Sequence, residues 1–372
     1  MKTSIILAFF FGLTSAGVTR GPEGLESPIA HFDSDIKGTN AASLRRSIQN
    51  GPKTSSASGS RPILAKRASK TQKGAPWGLR AISHRRAGAG YEKFPPDPAS
   101  KYYYDDRAGL NTYAYILDSG IRTTHEEFEG RAETVFTLYP GDEIDHCGHG
   151  TAVAGVLGSK TYGVAKRAKL LSVKTIDHKG SCAASAALHA LSWTAEHILS
   201  SGRQHSSVIN LSFGISKLQA LDTFIEALVS QTGIPVVTAA GNENEDASLS
   251  TPGSAKGVLN VGHMDKNWVI SPDSNWGPAV TMLAPGVQVE CPSSASDTNV
   301  VLESGSSFAA PHVAGLVLNA ISVHKMKGAA QIRDFLLQSA TKDQACACGG
   351  TPNIVANNGN TAQTKHTKPR NC

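Results

Sequence analysis

The chain has 372 residues, of which 40% are hydrophobic, so it is long enough to bury one large core or two small ones. Its formal net charge of +6 is modest, and much of the basic excess lies in residues 20–86. This distribution indicates no nucleic-acid-binding surface, and we expect no nucleic acid partner.

The first 16 residues have the pattern of a secretory signal peptide. Lys2 precedes an apolar run over residues 5–13, and the small residues Thr14 and Ala16 follow it. The run is too short to span a membrane, and we place the cleavage after Ala16. No later apolar run is long enough to span either. The sequence therefore predicts a secreted, extracellular protein without a membrane partner.

Residues 17–69 are rich in Gly, Ser, Pro, Lys and Arg and contain few apolar runs. Such a segment cannot bury enough surface to offset the entropy of ordering, so we interpret it as a short, polar, disordered pro-segment. Lys66-Arg67 is a candidate processing site, and a solvated basic run is an equally simple interpretation. We assign residues 70–360 to one globular domain and residues 361–372 to a flexible tail.

Apolar runs within the globular domain alternate with helix-like stretches. The strand-like runs are 113–117, 170–176, 208–213, 234–240, 258–261 and 280–283, and the helix-like stretches are 183–199, 218–229 and 307–320. Continuously apolar strands that alternate with helices favour a parallel sheet covered on both faces. The sequence therefore predicts an α/β domain with reactive groups at the carboxyl ends of its strands.

Four polar side chains stand in apolar surroundings near the ends of different predicted elements. Asp118 ends a strand in YILDSGI, His149 begins a helix in CGHGTAVAG, and Ser307 stands at the mouth of an apolar helix in SGSSFAAPHVAG. A serine becomes nucleophilic when a histidine takes its proton, and an acid must orient that histidine. Asn242, in AAGNENED, can donate its amide to an oxyanion. Each residue alone is more often structural, but the combination indicates nucleophilic catalysis.

With the motifs DSGI, GHGTAVAG, AAGN and GSSFAAPHVAG in this order, the sequence resembles the subtilisin family of serine proteases, and most of all its fungal proteinase K branch. Further matches are APWGL at 75–79, YYYDD at 102–106, HEEFEGR at 125–131 and KTYGVAK at 160–166. The resemblance covers about residues 75–358. It implies a subtilisin-like three-layer fold and a secreted serine endopeptidase that acts on polypeptide substrates, and we expect a monomer.

The resemblance also implies a role for each matching residue. Asp118 would orient the histidine, His149 would be the general base and Ser307 the nucleophile. Asn242 would stabilise the oxyanion together with the backbone N–H of Ser307, and His312 would be structural. The substrate would add as a strand to an edge, and the implied substrate-binding residues are Gly180, Ser181, Ser212, Phe213, Gly214, Ala239, Ala240 and Gly241. Their apolar, uncharged character predicts broad specificity with a hydrophobic or aromatic preference before the scissile bond.

Two positions depart from the family pattern. Ala152 stands where the histidine motif usually has a second histidine, and we expect a packing change there without loss of catalysis. Thr281 stands where relatives often hold calcium with an aspartate, and a neutral hydroxyl cannot supply the charge of a tight calcium site. We expect no metal ligand among the site residues and no required cofactor, with a structural calcium ion as the open alternative.

The six cysteines and the predicted secretion allow disulfides, in fifteen pairings among which the sequence does not choose. Cys346 and Cys348 are only two residues apart with no second His/Cys cluster nearby, so a zinc site is not predicted.

One alternative function is a catalytically impaired subtilisin-fold pseudoprotease that acts as a secreted binding protein. Ala152, Thr281 and the short pro-segment favour it. An esterase of the α/β-hydrolase type is excluded by motif order, because that fold runs Ser, Asp or Glu, then His, and sets its serine in G-x-S-x-G. Residues 305–309 read G-S-S-F-A instead.

Overall fold

A computed structural model describes residues 69–86, 101–347 and 349–360. The predicted signal peptide, the predicted tail and all of the predicted pro-segment except Ser69 lie outside the described residues. Ser69 itself begins the first strand. Within the described ranges, no helix has both the length and the apolar character that crossing a membrane requires.

The described residues form six α-helices and fifteen β-strands. The helices are α1 (Trp77–Ala81), α2 (His149–Gly158), α3 (Ala184–Ser200), α4 (Gln219–Thr232), α5 (Ser306–Ser322) and α6 (Ala329–Ser339). The strands are β1 (Ser69–Lys73), β2 (Lys101–Asp105), β3 (Tyr113–Asp118), β4 (Ala132–Thr137), β5 (Lys169–Lys174), β6 (Ser207–Leu211), β7 (Ile215–Ser216), β8 (Val236–Ala239), β9 (Ser250–Thr251), β10 (Leu259–Met264), β11 (Met282–Pro285), β12 (Val289–Pro292), β13 (Val300–Glu303), β14 (Thr341–Lys342) and β15 (Ile354–Val355).

Nine of these strands form the central sheet in the order β14-β15-β11-β10-β8-β6-β3-β5-β4. All neighbours in it pair in parallel except β14 and β15, which are antiparallel. The central strands β6, β8 and β10 are buried at every residue, as strands covered on both faces must be. The predicted α/β fold with a mostly parallel sheet is confirmed.

The sheet lies between two layers of helices. Successive side chains of its strands point to opposite faces, and apolar side chains on each face pack against one of the layers. In β3, Ala114 and Ile116 join the apolar cluster that contains the core-facing residues of α2 and α5. Tyr115 and Leu117 join a second cluster with residues of α3 and α4. Helix α5 is buried along almost its whole length, which agrees with its apolar character on every side. This buried helix carries Ser307 in its first turn.

Elements that the sequence patterns did not indicate lie mainly at the periphery. Strand β4 forms one edge of the central sheet, and most of its residues are only partly buried, so it lacks a continuous apolar run. Strands β12 and β13 form a separate antiparallel pair that leads into α5. Of the cysteines, Cys147, Cys182 and Cys291 are free thiols, and Cys346 is disulfide-bonded.

Candidate active site

The carboxyl end of β3 and the start of α2 bring a carboxylate and an imidazole together. Nδ1 of His149 lies 2.8 Å from Oδ1 of Asp118, which is only 1% exposed. Gly150 permits this approach, because a Cβ there would lie 2.1 Å from the carbonyl oxygen of Gly120. When Nδ1–H donates to the carboxylate, the other ring nitrogen, Nε2, is left free to accept a proton.

A second buried carboxylate, Asp145, fixes the start of α2. Its Oδ1 accepts hydrogen bonds from Ser119 Oγ at 2.8 Å and from the N–H of Gly148 at 2.9 Å. Its Oδ2 accepts from the N–H of Thr151 at 2.8 Å and from the Thr151 hydroxyl at 2.6 Å. These bonds tie the turn after β3 to the first turn of α2. No sequence pattern marks Asp145, because an aspartate in a polar loop carries no signal of its own.

The charges around His149 favour its protonated form. Burial lowers the pKa of the ring, whose side chain is 17% exposed. The charge and hydrogen bond of Asp118 act in the opposite direction, and Asp145 and Glu303 add to them, so that the pKa is raised above its ordinary value of 6.5. A base placed among these carboxylates can hold the proton that it takes from a hydroxyl.

Ser307 lies in the first turn of α5 and lines the same cleft as His149. Its hydroxyl donates to the carbonyl oxygen of Ser212 at 2.9 Å, and no hydrogen bond to His149 occurs among the described residues. The His149 ring centroid lies 5.4 Å from that of Phe308, the next residue in α5, and both His149 and Ser307 line the cleft. In unliganded enzymes, catalytic hydrogen bonds commonly tighten only when substrate binds.

The side chain of Asn242 is oriented by the residue that precedes Ser307. Its Oδ1 accepts the N–H of Ser306 at 2.8 Å, which leaves the amide nitrogen Nδ2 without a protein acceptor in the described part of the chain. Gly241, with φ of +109°, makes the turn possible, because a Cβ there would lie 2.1 Å from Nδ2 of Asn275. Asn242 also lines the cleft, so its Nδ2 is available to a ligand.

Six of the eight implied substrate-binding residues line this cleft, namely Gly180, Ser212, Phe213, Gly214, Ala239 and Gly241. Ser181 and Ala240 do not line it. Ala240 is fully buried and donates its N–H to the carbonyl of Val261, and the N–H of Ser181 donates to Asp177 within its own turn. The cleft also contains residues that sequence analysis missed: Ser119, Cys147, Ile176, Ile215, Ser216, Glu243, Glu245, Ser250 and Ser306.

Two of these missed residues correct the expectation of uncharged walls. Glu243 and Glu245 follow Asn242 in the turn after β8, and both line the cleft. The segment AAGNENED predicts an oxyanion donor through its asparagine, and its pattern does not indicate that the two acidic residues beside it line the pocket. Their place in the cleft depends on how this turn folds, which the linear pattern does not show.

His312 and Ala152 lie in the interior. His312 is 1% exposed, its Nδ1 lies 2.8 Å from the carbonyl oxygen of Phe308, and burial lowers its pKa to about 4. Gly78 leaves room for the ring, because a Cβ there would lie 2.5 Å from Nε2 of His312. Ala152 is 1% exposed and packs in the core cluster of α2 and α5. These surroundings are compatible with the structural role expected for His312.

A cation of the protein itself lies against Thr281, the position at which a calcium ligand was considered. Nη1 of Arg333 donates to Oγ1 of Thr281 at 3.2 Å and to the carbonyl oxygen of Val258 at 2.8 Å. A guanidinium bound to these oxygens repels a divalent cation, so the residues here do not fit calcium. Among the residues that the structure describes, no three His, Cys, Asp or Glu side chains cluster in a way that could hold a metal ion.

Comparison with known proteins gives the family of the chain. Residues 111–365 match the subtilase family, peptidase S8. The chain is 40% identical over 289 residues to alkaline protease 1 of Aspergillus clavatus, covering 78% of this chain and 69% of that protein. It is 42% identical over 303 residues to the subtilisin-like proteinase Mp1 of Magnaporthiopsis poae, covering 78% and 72%. The crystal structure of a cold adapted subtilisin-like serine proteinase matches with a TM-score of 0.68 at 30% identity, covering 77% of this chain and 98% of that one. The chain therefore belongs to the subtilase family and is a serine endopeptidase with a subtilisin-like fold.

Proposed function

We propose that this protein hydrolyses peptide bonds through Asp118, His149 and Ser307, with Asn242 as the oxyanion donor. The observation that carries the proposal is the 2.8 Å contact between Asp118 Oδ1 and His149 Nδ1 in the cleft that Ser307 also lines. The acid, the base and the hydroxyl come from three different elements, β3, α2 and α5, and the mechanism needs them to meet in one site.

In the first step, the Ser307 hydroxyl leaves the Ser212 carbonyl and gives its proton to Nε2 of His149 while Oγ attacks the scissile carbonyl carbon. Asp118 stabilises the imidazolium that forms. The negative charge on the carbonyl oxygen receives hydrogen bonds from Asn242 Nδ2 and from the N–H of Ser307, at the positive end of α5. His149 then passes the proton to the leaving amine, and water repeats the sequence on the acyl-enzyme.

The substrate would lie as an added strand along residues 212–214 and the segment around Gly180. Phe213 and Ala239 give the cleft an apolar surface, which supports a large hydrophobic or aromatic side chain before the scissile bond and a broad specificity. From the pattern of residues 1–16 we further propose that the protein is secreted and extracellular. We keep the expectations of a monomer and of no nucleic acid or membrane partner.

The test is hydrolysis of a chromogenic peptide by the wild-type protein and by Ser307→Ala. We expect turnover by the wild type and a kcat lower by about 10⁶-fold in the variant, the size of loss measured for the nucleophile of a subtilisin. Equal rates in the two proteins would contradict the proposal. Absence of turnover by the folded wild type would favour the alternative, a subtilisin-fold binding protein.

A further inference from the structure

We propose that Glu245, supported by Glu243, forms an acidic subsite that accepts a lysine or arginine side chain before the scissile bond. This specificity rests on the proposed function and extends it to basic residues. Among the residues that the structure describes, the lining of the cleft includes two glutamates and no lysine or arginine.

The turn that carries both glutamates is held by one buried side chain, Asn275. Its Oδ1 accepts the N–H groups of Glu243 and Glu245, both at 3.0 Å. Its Nδ2 donates to the carbonyl of Ala240 at 3.1 Å and to Oε2 of Glu243 at 2.7 Å. Asn275 is fully buried, so the turn that follows Asn242 and carries both glutamates is anchored to the interior.

The two carboxylates differ in what they already bind. Oε2 of Glu243 accepts from Asn275 and from the N–H of Asn242 at 2.8 Å, so this group is committed to the turn. The partly buried carboxylate of Glu245 accepts no hydrogen bond and forms no ion pair within the described residues, although its backbone N–H and C=O are both used. Burial and the charges of Glu243 and Asp246 raise the pKa of Glu245. A cation is the partner that this environment lacks.

A lysine or arginine side chain would match both parts of the cleft. Its aliphatic stem can lie along the apolar surface of Phe213 and Ala239, and its charged end can reach the carboxylate. Ser216 and Ser250, which pair across β7 and β9, also line the cleft and add hydroxyl oxygens. With this subsite, the protease accepts basic side chains before the scissile bond in addition to hydrophobic ones.

The experiment compares two peptide p-nitroanilides that differ only before the scissile bond, one with lysine and one with the uncharged isostere norleucine. The measured quantity is the ratio of their kcat/KM values, from which effects on the triad cancel. In Glu245→Gln we expect the ratio of lysine to norleucine to fall about tenfold, because a hydrogen-bonded charge is lost while shape is kept. Glu133→Gln removes the same charge from an exposed position on the edge strand β4 and should leave the ratio unchanged.

An unchanged ratio in Glu245→Gln, or an equal fall in Glu133→Gln, would overturn the inference while leaving peptide hydrolysis intact. Failure of the proposed function has a different signature, namely no hydrolysis of either substrate. In that case the affinities of Ser307→Ala for product peptides ending in lysine or norleucine, measured by calorimetry, decide the question. Tighter binding of the lysine peptide that disappears on adding Glu245→Gln supports the subsite, and equal binding of both peptides contradicts it.

We infer that Arg333 takes the place of calcium as the cation that connects the segments in this part of the domain. This second inference rests on a separate observation, the contact of Arg333 with Thr281. Arg333 belongs to α6, Val258 precedes β10 and Thr281 precedes β11. Its guanidinium joins all three segments through the two bonds described above. The N–H of Asn260 also donates to Thr281 Oγ1 at 3.2 Å, and the Thr281 N–H donates to the Asn260 carbonyl at 2.7 Å.

Melting temperatures in calcium and in a chelator test this second inference, in the Ser307→Ala background so that autolysis does not interfere. We expect the same melting temperature in both buffers. Arg333→Met should lower it in both by several degrees, whereas Arg167→Met, at an exposed arginine, should not. Adding Thr281→Asp to Arg333→Met should restore stability in calcium alone. A calcium-dependent rise without these substitutions, or an Arg333→Met protein as stable as its parent, would contradict the inference.

Discussion

His149 begins α2 and His312 lies inside α5, two helices that pack against each other. Burial lowers the pKa of both rings. Around His149 three carboxylates, those of Asp118, Asp145 and Glu303, reverse this effect and raise the pKa above 6.5. The hydrogen-bond partner of His312 within the described residues is the carbonyl of Phe308, and burial lowers its pKa to about 4.

The difference shows that burial alone makes a histidine neutral and unable to hold a proton at physiological pH. A base needs acidic partners that are themselves positioned, and here Asp145 positions α2 while Asp118 contacts the ring. Two histidines in one hydrophobic layer thus have different chemistry because of their charged neighbours.

The largest effect is expected from removing the two rings in turn. His149→Ala should lower kcat by about 10⁶-fold, the loss measured for the base of a subtilisin. His312→Gln, which keeps a donor near the Phe308 carbonyl, should leave kcat close to that of the wild type. Steady-state kinetics on one chromogenic peptide measures both. Comparable losses of kcat in the two variants would show that the two histidines do not differ in their chemical role.

A smaller loss is expected at Asn242, which belongs to the charged region but moves no proton. Asn242→Ala should reduce kcat by about 10²–10³-fold with little change in KM, because the amide acts on the oxyanion of the transition state; this range was itself measured on a subtilisin. A rise in KM at constant kcat would assign the side chain to substrate binding instead.

The carboxylates around His149 should shift the pH dependence of kcat/KM. Only the neutral ring accepts a proton, so the rate rises with pH through the pKa of His149, which lies above 6.5 in the folded protein. Glu303→Gln removes one negative charge and should move this acidic limb to lower pH. Asp145→Asn should act in the same direction. If Glu303→Gln leaves the acidic limb unchanged, the Glu303 carboxylate does not raise the pKa of His149.

The smallest effect concerns His312 and stability. The pKa of this ring is about 4 in the folded chain and 6.5 in the unfolded one, so between these values the unfolded state binds more protons. The free energy of unfolding should therefore rise with pH across this window and reach its full value above it. Denaturant titrations of Ser307→Ala, with and without His312→Gln, measure this. The variant should show a shallower pH dependence, and an identical slope would contradict the prediction.

Much of the site could be predicted because each reacting residue stands in a local motif at the end of an apolar element. Asp118 follows a continuously apolar strand, and Ser307 opens a helix that is apolar on every side. The central strands were predictable for the same reason. The edge strand β4 was not, because partly buried residues leave no clear period.

Contacts between distant segments could not be predicted from the sequence. Arg333 binds oxygens of residues 75 and 52 positions away, and no local pattern marks such a pair. The position of Glu245 in the cleft could not be predicted either, because it depends on the buried amide of Asn275, 30 residues along the chain. The reacting groups could be predicted from the sequence, whereas the charges that surround them are seen only in the folded chain.

Labelling with a fluorophosphonate measures whether His149 activates Ser307, because only a serine whose proton is taken by a neighbouring base displaces the fluoride and forms the Oγ–P bond. Peptide mapping by mass spectrometry should find the adduct on the peptide that contains Ser307 in the wild type and in His312→Gln, and no adduct there in His149→Ala. A folded wild-type protein that stays unlabelled at Ser307, or a His149→Ala variant labelled as fast as the wild type, would contradict the account.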